Sequence, residues 1–445
     1  MREKKLLKEF FRYVSQNVLG MIGLSCYILA DTFFIARGLG TKGLTALNLA
    51  IPVYSFVNGC GLMLGMGGAT KYSIFRGKKE DKKGNQIFFH AAAFALVFAA
   101  VFMLTGIFLS DRLALVLGAD REVFDMTRVY LRVILLFSPA FLFNDIFVCF
   151  VRNDGNPKLS MIAMLLGSFS NIILDYIFIF PLNLGIFGAV LATGFAPVIS
   201  MCILSKHLRS KDCHFRLEKA PFSPGMLANI LSLGVPSLVT EVASGIVILV
   251  FNTIILTLQG NVGVAAYGVV ANLSLVVTSI YTGVAQGMQP ILSRAYGKGE
   301  KENIRNILKY AGLTVLFLSC FVYGIFLLGA GPITSLFNSE KNRELQQIAV
   351  TGLQLYFTSA PFMGQNIILS TYFTSTEKAL PAQGISLSRG FFLILPVAFL
   401  SARFFGMTGV WLSCPVTELI VSVMGMLIYL KNRPGIPRTK KISSF

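Results

Sequence analysis

Acidic side chains inside long apolar segments are the residues of this sequence that most need a chemical explanation. A charged side chain at the centre of a bilayer costs about 2.5–3.5 kcal/mol on insertion scales, and such residues usually serve a function. Five carboxylates lie in segments of this kind: Asp31, Asp145, Asp175, Glu241 and Glu418. Groups of this type in an apolar environment can bind cations or exchange protons.

The residues around Asp175 form a candidate site for a coupling cation. Ser168, Asn171 and Asp175 are spaced so that they share one face of a helix. Asp31, in the first apolar segment, and Thr193, in the sixth, can supply further oxygens. Two carboxylates together with neutral oxygens can bind the metal ion Na⁺. If the proton affinity of the carboxylates is raised, the same group can bind H⁺ instead. We therefore predict cation coupling by Asp31, Asn171, Asp175 and Thr193.

A polar stripe around Glu241 is a candidate wall of a substrate cavity. Ser237, Glu241, Ser244 and Asn252 fall close to one face by helical spacing, and Pro236 before them should kink the helix or free a carbonyl. A stripe of this kind faces either a cavity or another helix. We predict that Glu241 and Asn252 face the cavity and bind substrate.

The next apolar segment carries a weaker stripe of uncharged polar residues. Asn272, Ser279 and Gln286 recur at helical spacing. Asn272 and Gln286 are further candidates for substrate binding. The alternative is that they only bridge helices, as uncharged polar side chains often do in membranes.

Three of the acids could instead form purely structural ion pairs with a basic residue. The possible pairs are Asp31 with Arg37, Asp145 with Arg152, and Glu418 with Arg389.

These residues are carried by about twelve predicted membrane spans. Of the 445 residues, 54% are hydrophobic and only 13% are charged, whereas soluble domains have about 25% charged residues. Every span must be helical, because lipid offers no partner to backbone N–H and C=O groups. The spans are roughly 13–36, 44–69, 87–110, 127–151, 159–181, 185–206, 228–257, 262–290, 307–329, 347–373, 380–402 and 405–430.

The net charge of +18 is explained by membrane topology. With a cytoplasmic N-terminus, 29 of the 39 Lys and Arg residues fall on the inner side and 9 on the outer side, and Arg389 lies within a span. This asymmetry follows the positive-inside rule. It places both termini in the cytoplasm of a multi-pass inner-membrane protein. Basic residues spread over short loops do not indicate nucleic-acid binding.

The two halves of the chain resemble each other at an offset near 220. Gly67 matches Gly287, Ser73 matches Ser293, and Glu80 matches Glu300. Equal numbers of spans in each half give a parallel repeat, an arrangement typical of transporters. We predict an N-terminal six-helix lobe at 1–206, a cytoplasmic linker at 207–226, and a C-terminal six-helix lobe with a short tail at 227–445.

The sequence shows no enzyme signature. It has no phosphate-binding P-loop, so ATP is not the direct energy source. The seven cysteines form no CxxC pair, and three histidines are too dispersed along the chain to indicate a metal site. We expect no catalytic activity and no organic cofactor.

Four segments resemble the multidrug and toxic compound extrusion (MATE) family, in particular its bacterial multidrug efflux branch. They are ADTFFIARGLG at 30–40, FVRNDGNPKLSMIAMLLGSFSNIILDYIFIF at 150–180, GIFGAVLAT at 185–193 and LGVPSLVTEVASGIVILVFN at 233–252. The resemblance covers nearly the whole chain. It implies an all-α integral membrane protein of twelve helices, in two pseudo-symmetric six-helix lobes that form a V.

The resemblance also implies a function and its residues. The expected activity is export of small lipophilic organic cations in exchange for Na⁺ or H⁺, by a monomer surrounded by membrane lipid. The family's coupling site falls on Asp31, Asn171, Asp175 and Thr193. The glutamate that other members use in span 7 falls on Glu241.

Two features depart from the family pattern. Many members carry a proline about fifteen residues before the span 1 aspartate, where this sequence has Gln16. Others have an aspartate in span 10, whereas 347–373 contains no acid. A coupling site built wholly in the C-terminal lobe is therefore not expected.

Two other functions remain as alternatives. A flippase for a lipid-linked precursor would need several basic residues in its cavity, and only Arg389 lies well inside a span. A non-transporting membrane receptor would usually carry an appended signalling domain.

Overall fold

The computed structural model describes residues 2–338 and 342–432, and this part of the chain is helical without strands. The helices are α1 (Arg2–Gly77), α2 (Asp81–Phe108), α3 (Ser110–Val116), α4 (Phe124–Leu136), α5 (Ser138–Asn153), α6 (Pro157–Ile179), α7 (Gly185–Leu208), α8 (Pro224–Gly297), α9 (Lys301–Phe337), α10 (Arg343–Tyr356), α11 (Ala360–Ser375), α12 (Ala379–Leu387) and α13 (Ile394–Lys431). A 3₁₀ turn at Phe357–Ser359 joins α10 to α11, and a π-helical turn at Ser388–Phe392 follows α12. Most of the predicted C-terminal tail, 433–445, lies outside the described residues.

Three of these helices are hairpins of two spans, each reversed at one glycine. Gly40, Gly260 and Gly406 have φ of 64°, 61° and 56°, inside α1, α8 and α13. Glycine is the residue that adopts this left-handed conformation without steric cost. In α1 the reversal brings the hydroxyl groups of Tyr27 and Tyr54, which lie on either side of Gly40, to 3.0 Å.

With each hairpin counted as two spans, the described residues form twelve. Seven helical segments are long and apolar enough to cross a membrane, and α4 with α5 forms a further span with a 48° bend. α10 and α11 together form span 10. The spans, numbered in chain order, are 2–40, 41–77, 81–108, 124–153, 157–179, 185–208, 224–260, 261–297, 301–337, 343–375, 379–405 and 406–431. The prediction of an all-helical membrane protein of twelve spans is confirmed.

The internal repeat is visible in the backbone as well as in the residue types. Residues with a left-handed φ recur at corresponding places of the two halves: Gly40 and Gly260, Lys79 and Gly299, Gly155 and Glu377, and Gly185 and Gly406. Each pair is separated by 220 to 222 residues, the offset found in the sequence. The duplicated halves therefore share their turns, including those at positions where one member is not glycine.

Each half has its own apolar core, and its outer surface is apolar too. One core joins buried residues between Ile35 and Ile230, and the other joins residues between Phe251 and Val421 with Phe10 and Tyr13 of span 1. Large apolar side chains cover the outside of the bundle; Leu328, for example, is 87% exposed. Such a surface is stable only against lipid.

The linker docks on the N-terminal half. The Arg216 N–H donates to Asn85 Oδ1 at 3.0 Å, and the Ser223 N–H donates to the ring of His90 at 2.9 Å. Phe215 is buried in the N-terminal core. We call the end of the bundle that carries the linker, the turns at 78–80 and 298–300, and the start of span 1 the linker end.

The two halves approach each other closely at the linker end. A β-carbon on Gly234 would lie 1.9 Å from the Met63 carbonyl oxygen, and one on Gly297 would lie 2.2 Å from the Ile74 carbonyl oxygen. These are backbone contacts between span 2 and spans 7 and 8, which only glycine permits. The halves are therefore closed against each other at the linker end.

Candidate functional site

A cavity lies between the two halves, on the far side of the closure at the linker end. Its volume is about 300 Å³, and it is lined by spans 1, 2 and 4–6 of the N-terminal half and by spans 7, 8, 10 and 11 of the C-terminal half. Its wall mixes apolar and aromatic side chains with a few polar ones. A cavity of this composition can bind a small organic molecule.

Two carboxylates line this cavity, Glu241 from span 7 and Asp145 from span 4. Asn58 of span 2 donates to Glu241 Oε2 at 3.5 Å. Gly61 makes room for the second acid, because a β-carbon there would lie 2.5 Å from Asp145 Oδ2. Within the described residues, Asp145 Oδ2 has no hydrogen-bond partner. The cavity therefore presents two carboxyl groups that have no basic partner within the described residues.

The predicted coupling residues come together in the N-terminal half, behind the cavity wall. Asp31 and Asp175 lie with their carboxyl groups within hydrogen-bonding range of each other. With its amide oriented to satisfy both groups, Asn171 donates to Asp175 Oδ2 at 3.0 Å and accepts from the Thr193 N–H at 3.2 Å. Each of the four residues is at most 7% exposed. Their packing brings spans 1, 5 and 6 to one acidic pocket.

Tyr130 of span 4 is a fifth member of this pocket that sequence reasoning missed. Its hydroxyl lies beside Thr193 and near both carboxyl groups of Asp31 and Asp175. A tyrosine within an apolar span gives no signal of its own, because its partners come from three other spans. Asn58 was also missed, although a lone amide within the apolar run of span 2 could have drawn attention to it.

The acidic pocket and the cavity are adjacent. Thr193 contributes to both, since it lines the cavity and contacts Asn171. Tyr27 lines the cavity one turn from Asp31, and its hydroxyl is hydrogen-bonded to that of Tyr54. A change in one site can therefore reach the other through side chains in contact.

The four predicted substrate residues do not lie together. Glu241 and Gln286 line the cavity. Asn252 and Asn272 are not among its lining residues, and Asn272 is exposed. Asn252 lies about three turns further along the helix than Glu241, and substrate binding by Asn252 and Asn272 stays a prediction.

The comparisons with known proteins agree with this architecture. The family model MatE matches residues 18–177 and 236–400. The chain belongs to the MatE family. The Multidrug export protein MepA of Staphylococcus saprophyticus is 27% identical over 96% of this chain and 94% of its own length. MepA of Staphylococcus aureus, strain MSSA476, is 26% identical over 95% and 93%.

Solved structures show the same fold. A MOP superfamily transporter from Pyrococcus furiosus matches with a TM-score of 0.89 at 23% identity, over 96% of this chain and 95% of the other. The relatives are transporters, so the MATE resemblance is confirmed. Neither the flippase nor the receptor alternative is favoured by these matches.

In the C-terminal half of this MATE-family protein, Glu418 forms an ion pair with Arg389. Arg389 donates from Nη2 to Glu418 Oε1 at 2.7 Å and from Nε at 2.9 Å, as the sequence suggested. Asn366 donates to Glu418 Oε2 at 2.7 Å. Arg389 reaches the cavity wall from the π-helical turn. The suggested pair of Asp145 with Arg152 is not formed in this arrangement of the halves, where Arg152 bonds to neutral partners instead.

His207 and His214 meet at Asp154, which lies in the turn after α5 and more than 50 residues before them in the sequence. His207 Nε2 lies 2.8 Å from Asp154 Oδ2, and His214 Nδ1 lies 3.2 Å from Oδ1. Tyr72 and Arg76 also donate to Asp154. Burial alone would raise the pKa of Asp154, but the hydrogen bonds from His207, Tyr72 and the His214 N–H hold it below its usual value. This group of side chains ties the linker to spans 2, 4 and 6.

Proposed function

We propose that this MATE-family protein exports lipophilic organic cations from the cell in exchange for Na⁺ or H⁺. The observation that carries the proposal is the presence of two acidic sites of different kinds. One site, Glu241 with Asp145, lines a cavity large enough for an organic molecule. The other, Asp31 with Asp175, is enclosed behind the wall, where only a small ion or a proton fits.

The charge of the cavity supports a cationic cargo. Among the lining residues, Arg389 is the one basic side chain, and Glu418 neutralises it. Glu241 and Asp145 have no basic partner within the described residues. Tyr27, along with other rings of the cavity wall, can add cation–π attraction for a flat cation. A lipid-linked anionic precursor would meet repulsion from the same wall.

Coupling requires that the ion favour one arrangement of the lobes over the other. A ligand that binds both states equally shifts nothing. Asp31 comes from span 1, whose start packs on the C-terminal core through Phe10 and Tyr13. Neutralising the repulsion between Asp31 and Asp175 can therefore change how span 1 sits between the halves. This physical link from ion binding to lobe movement supports antiport.

We further propose that the linker end faces the cytoplasm of the inner membrane, that both termini lie there, and that the protein works as a monomer without a cofactor. The distribution of 29 basic residues inside and 9 outside supports the orientation. In this orientation the closure at the linker end is the cytoplasmic side of an outward-directed cavity.

Proteoliposomes test the proposed function directly. Ethidium export would be followed under an imposed Na⁺ gradient or an imposed pH gradient, each applied separately at zero membrane potential. We expect export with one of the two gradients in the wild-type protein and none in the Asp31→Asn variant. Asp111→Asn, which changes an exposed carboxylate outside the spans, is the matched control. Equal export with and without a gradient would contradict antiport.

A further inference from the structure

Arg152 is a fully buried guanidinium behind the cavity wall, where it contacts the lining residues Gln286, Met66 and Cys149, and it has no acidic partner within the described residues. It lies in the last turn of α5 and is 0% exposed. Nη1 donates to Asn17 Oδ1 at 2.8 Å and to Gln286 Oε1 at 2.6 Å. Nη2 reaches only sulfur atoms, Met66 Sδ at 3.2 Å and Cys149 Sγ at 3.6 Å.

This environment does not satisfy the charge. Arg152 Nε has no hydrogen-bond partner among the described residues. A buried ion without a counter-ion is strongly unfavourable, because its lost hydration is not replaced. Structural arginines, such as Arg389 in this protein, have a carboxylate beside them. Arg152 therefore differs from Arg389 in having no carboxylate beside it among the described residues.

The bonds of Arg152 cross the boundary between the halves. Arg152 and Asn17 belong to the N-terminal half, whereas Gln286 belongs to span 8. In the next layer toward the linker end, Asn153 donates to Gln289 of span 8 at 3.0 Å. The halves cannot part at the linker end without breaking the bond between Arg152 and Gln286.

An unused partner for Arg152 lies on the same helix. Asp145 precedes it by seven residues, two turns, so both side chains share one face, with Cα atoms about 10 Å apart. Helical side chains lean toward the N-terminus of their helix, which directs Arg152 toward Asp145. Cys149 lies between them and already touches the guanidinium. Asp145 Oδ2 is the unpartnered oxygen on the cavity wall.

We propose that Arg152 is a two-position residue that couples occupancy of the cavity to closure of the linker end. In the closed arrangement it holds Gln286 of the opposite half. When the halves part, it turns to Asp145 and forms an ion pair there. The two positions compete because Asp145 lies two turns from Arg152 along α5, so the guanidinium must leave Gln286 of the opposite half to reach it.

Because the two positions compete, binding of a cationic cargo can favour closure of the linker end. This step rests on the proposed function, whereas the two positions of Arg152 do not. A cation that binds Asp145 displaces the guanidinium, which returns to Gln286 and closes the linker end. Once there, its positive charge lies below the cargo without a neutralising acid, which weakens cargo affinity and favours release on the far side.

Distances between the halves at the linker end test the two positions without any transport measurement. Spin labels at Lys82→Cys and Glu302→Cys, both exposed and on opposite halves, report closure in the full chain in nanodiscs. The exposed native cysteines Cys26, Cys202 and Cys320 are replaced first.

Two single variants should move the label distance in opposite directions. Gln286→Ala removes the closed-state partner and should raise the ratio of open to closed molecules about tenfold. Asp145→Asn removes the open-state partner and should lower that ratio by a similar factor. Arg209→Gln, a change of an exposed basic residue, is the control and should leave the distances unchanged.

Shifts of the label distance in opposite directions distinguish coupling from a purely structural role. A change that only destabilised the protein would broaden the distance distributions of both variants alike. Arg152→Lys, which keeps the charge but lacks the planar fork of donors, should partly restore the closed population that Arg152→Gln loses. Label distances unchanged in both Gln286→Ala and Asp145→Asn would overturn the proposal. If the label distances shift as expected but added tetraphenylphosphonium fails to close the linker end in both the wild type and Arg209→Gln, the proposed cargo is wrong. In that case the two positions of Arg152 are still supported.

Discussion

Replacing Asp175 by asparagine should separate ion coupling from cargo binding. The change keeps the shape of the side chain and its bond to Asn171 but removes one of the two facing carboxylates. At about 4 Å and an effective dielectric constant near 20, two negative charges repel by about 4 kcal/mol. A bound Na⁺ or proton relieves this repulsion in the wild type. The variant has no such repulsion to relieve, so its ion affinity should fall by up to roughly a thousandfold.

The cargo site should be nearly unaffected by the same change. Asp175 is 0% exposed and is absent from the cavity wall, whereas Glu241 lies on it. We therefore expect gradient-driven ethidium export to fall to the background of empty liposomes while ethidium binding to the purified protein persists. Fluorescence polarisation gives the binding, and proteoliposome export gives the coupling. Asp111→Asn is again the matched control.

Two outcomes would refute the reasoning. Normal gradient-driven export by Asp175→Asn would show that the acidic pocket only holds the half together. A loss of ethidium affinity as large as the loss of export would show that the pocket is part of the cargo site. If the variant does not fold, Tyr130→Phe tests the same pocket through the loss of a neutral oxygen away from the cavity wall, with a smaller expected reduction in export.

Four further predictions concern other parts of the molecule. Glu241→Gln should weaken binding of monovalent organic cations roughly tenfold without loss of fold, as polarisation titrations can measure, and unchanged affinity for every cation would remove its assigned role. Cysteine at exposed Lys211 of the linker should resist an impermeant maleimide in intact cells and react after permeabilisation; ready labelling in intact cells would reverse the topology. Gly297→Val should oppose closure of the linker end by about 1–3 kcal/mol, measured as a longer label distance, whereas Gly312→Ala, where an added β-carbon meets open space, should leave it unchanged. Asp154→Asn should lower the free energy of unfolding by about 1–3 kcal/mol at neutral pH. The pKa of Asp154 is lowered in the folded state, so its carboxylate stabilises the folded protein at any pH above the unfolded-state pKa of about 4. In thermal scans the difference in stability between variant and wild type should vanish only in stronger acid.

The fold could be predicted from the sequence because hydropathy and the repeat act over long stretches. Twelve apolar segments in two matching sets leave few arrangements in a bilayer. The ends of the helices were less predictable. α9, for example, covers Lys301–Phe337, whereas the apolar pattern indicated 307–329. A helix continues past the hydrocarbon layer as long as its backbone bonds are satisfied, and hydropathy does not record that continuation.

Residues on one helix could be grouped from spacing, but contacts between helices could not. The relation of Asn171 to Asp175 follows from 3.6 residues per turn. Tyr130 joins them only because span 4 packs against spans 5 and 6, which no local pattern records. Spacing places Asn252 nearly in phase with Glu241 but cannot say how far along span 7 the cavity extends. His207 and His214 meet at Asp154 for a similar reason, through a linker that folds back on the N-terminal half.

The duplication preserved the backbone of the two halves but not their acids. Gly155 and Glu377 are equivalent turn residues, and counting from them places Val397 where Asp175 lies in the other half. The turns at Gly185 and Gly406 likewise place Cys414 opposite Thr193. Because Glu418 of the C-terminal half is neutralised within its own half, the carboxylates without a basic partner in the described spans are those of the acidic pocket, Asp145 and Glu241. The acidic pocket lies in the N-terminal half and has no acidic counterpart in the other half, so an ion bound there acts on one half and can tilt two halves of the same fold against each other without the symmetry that would cancel the effect.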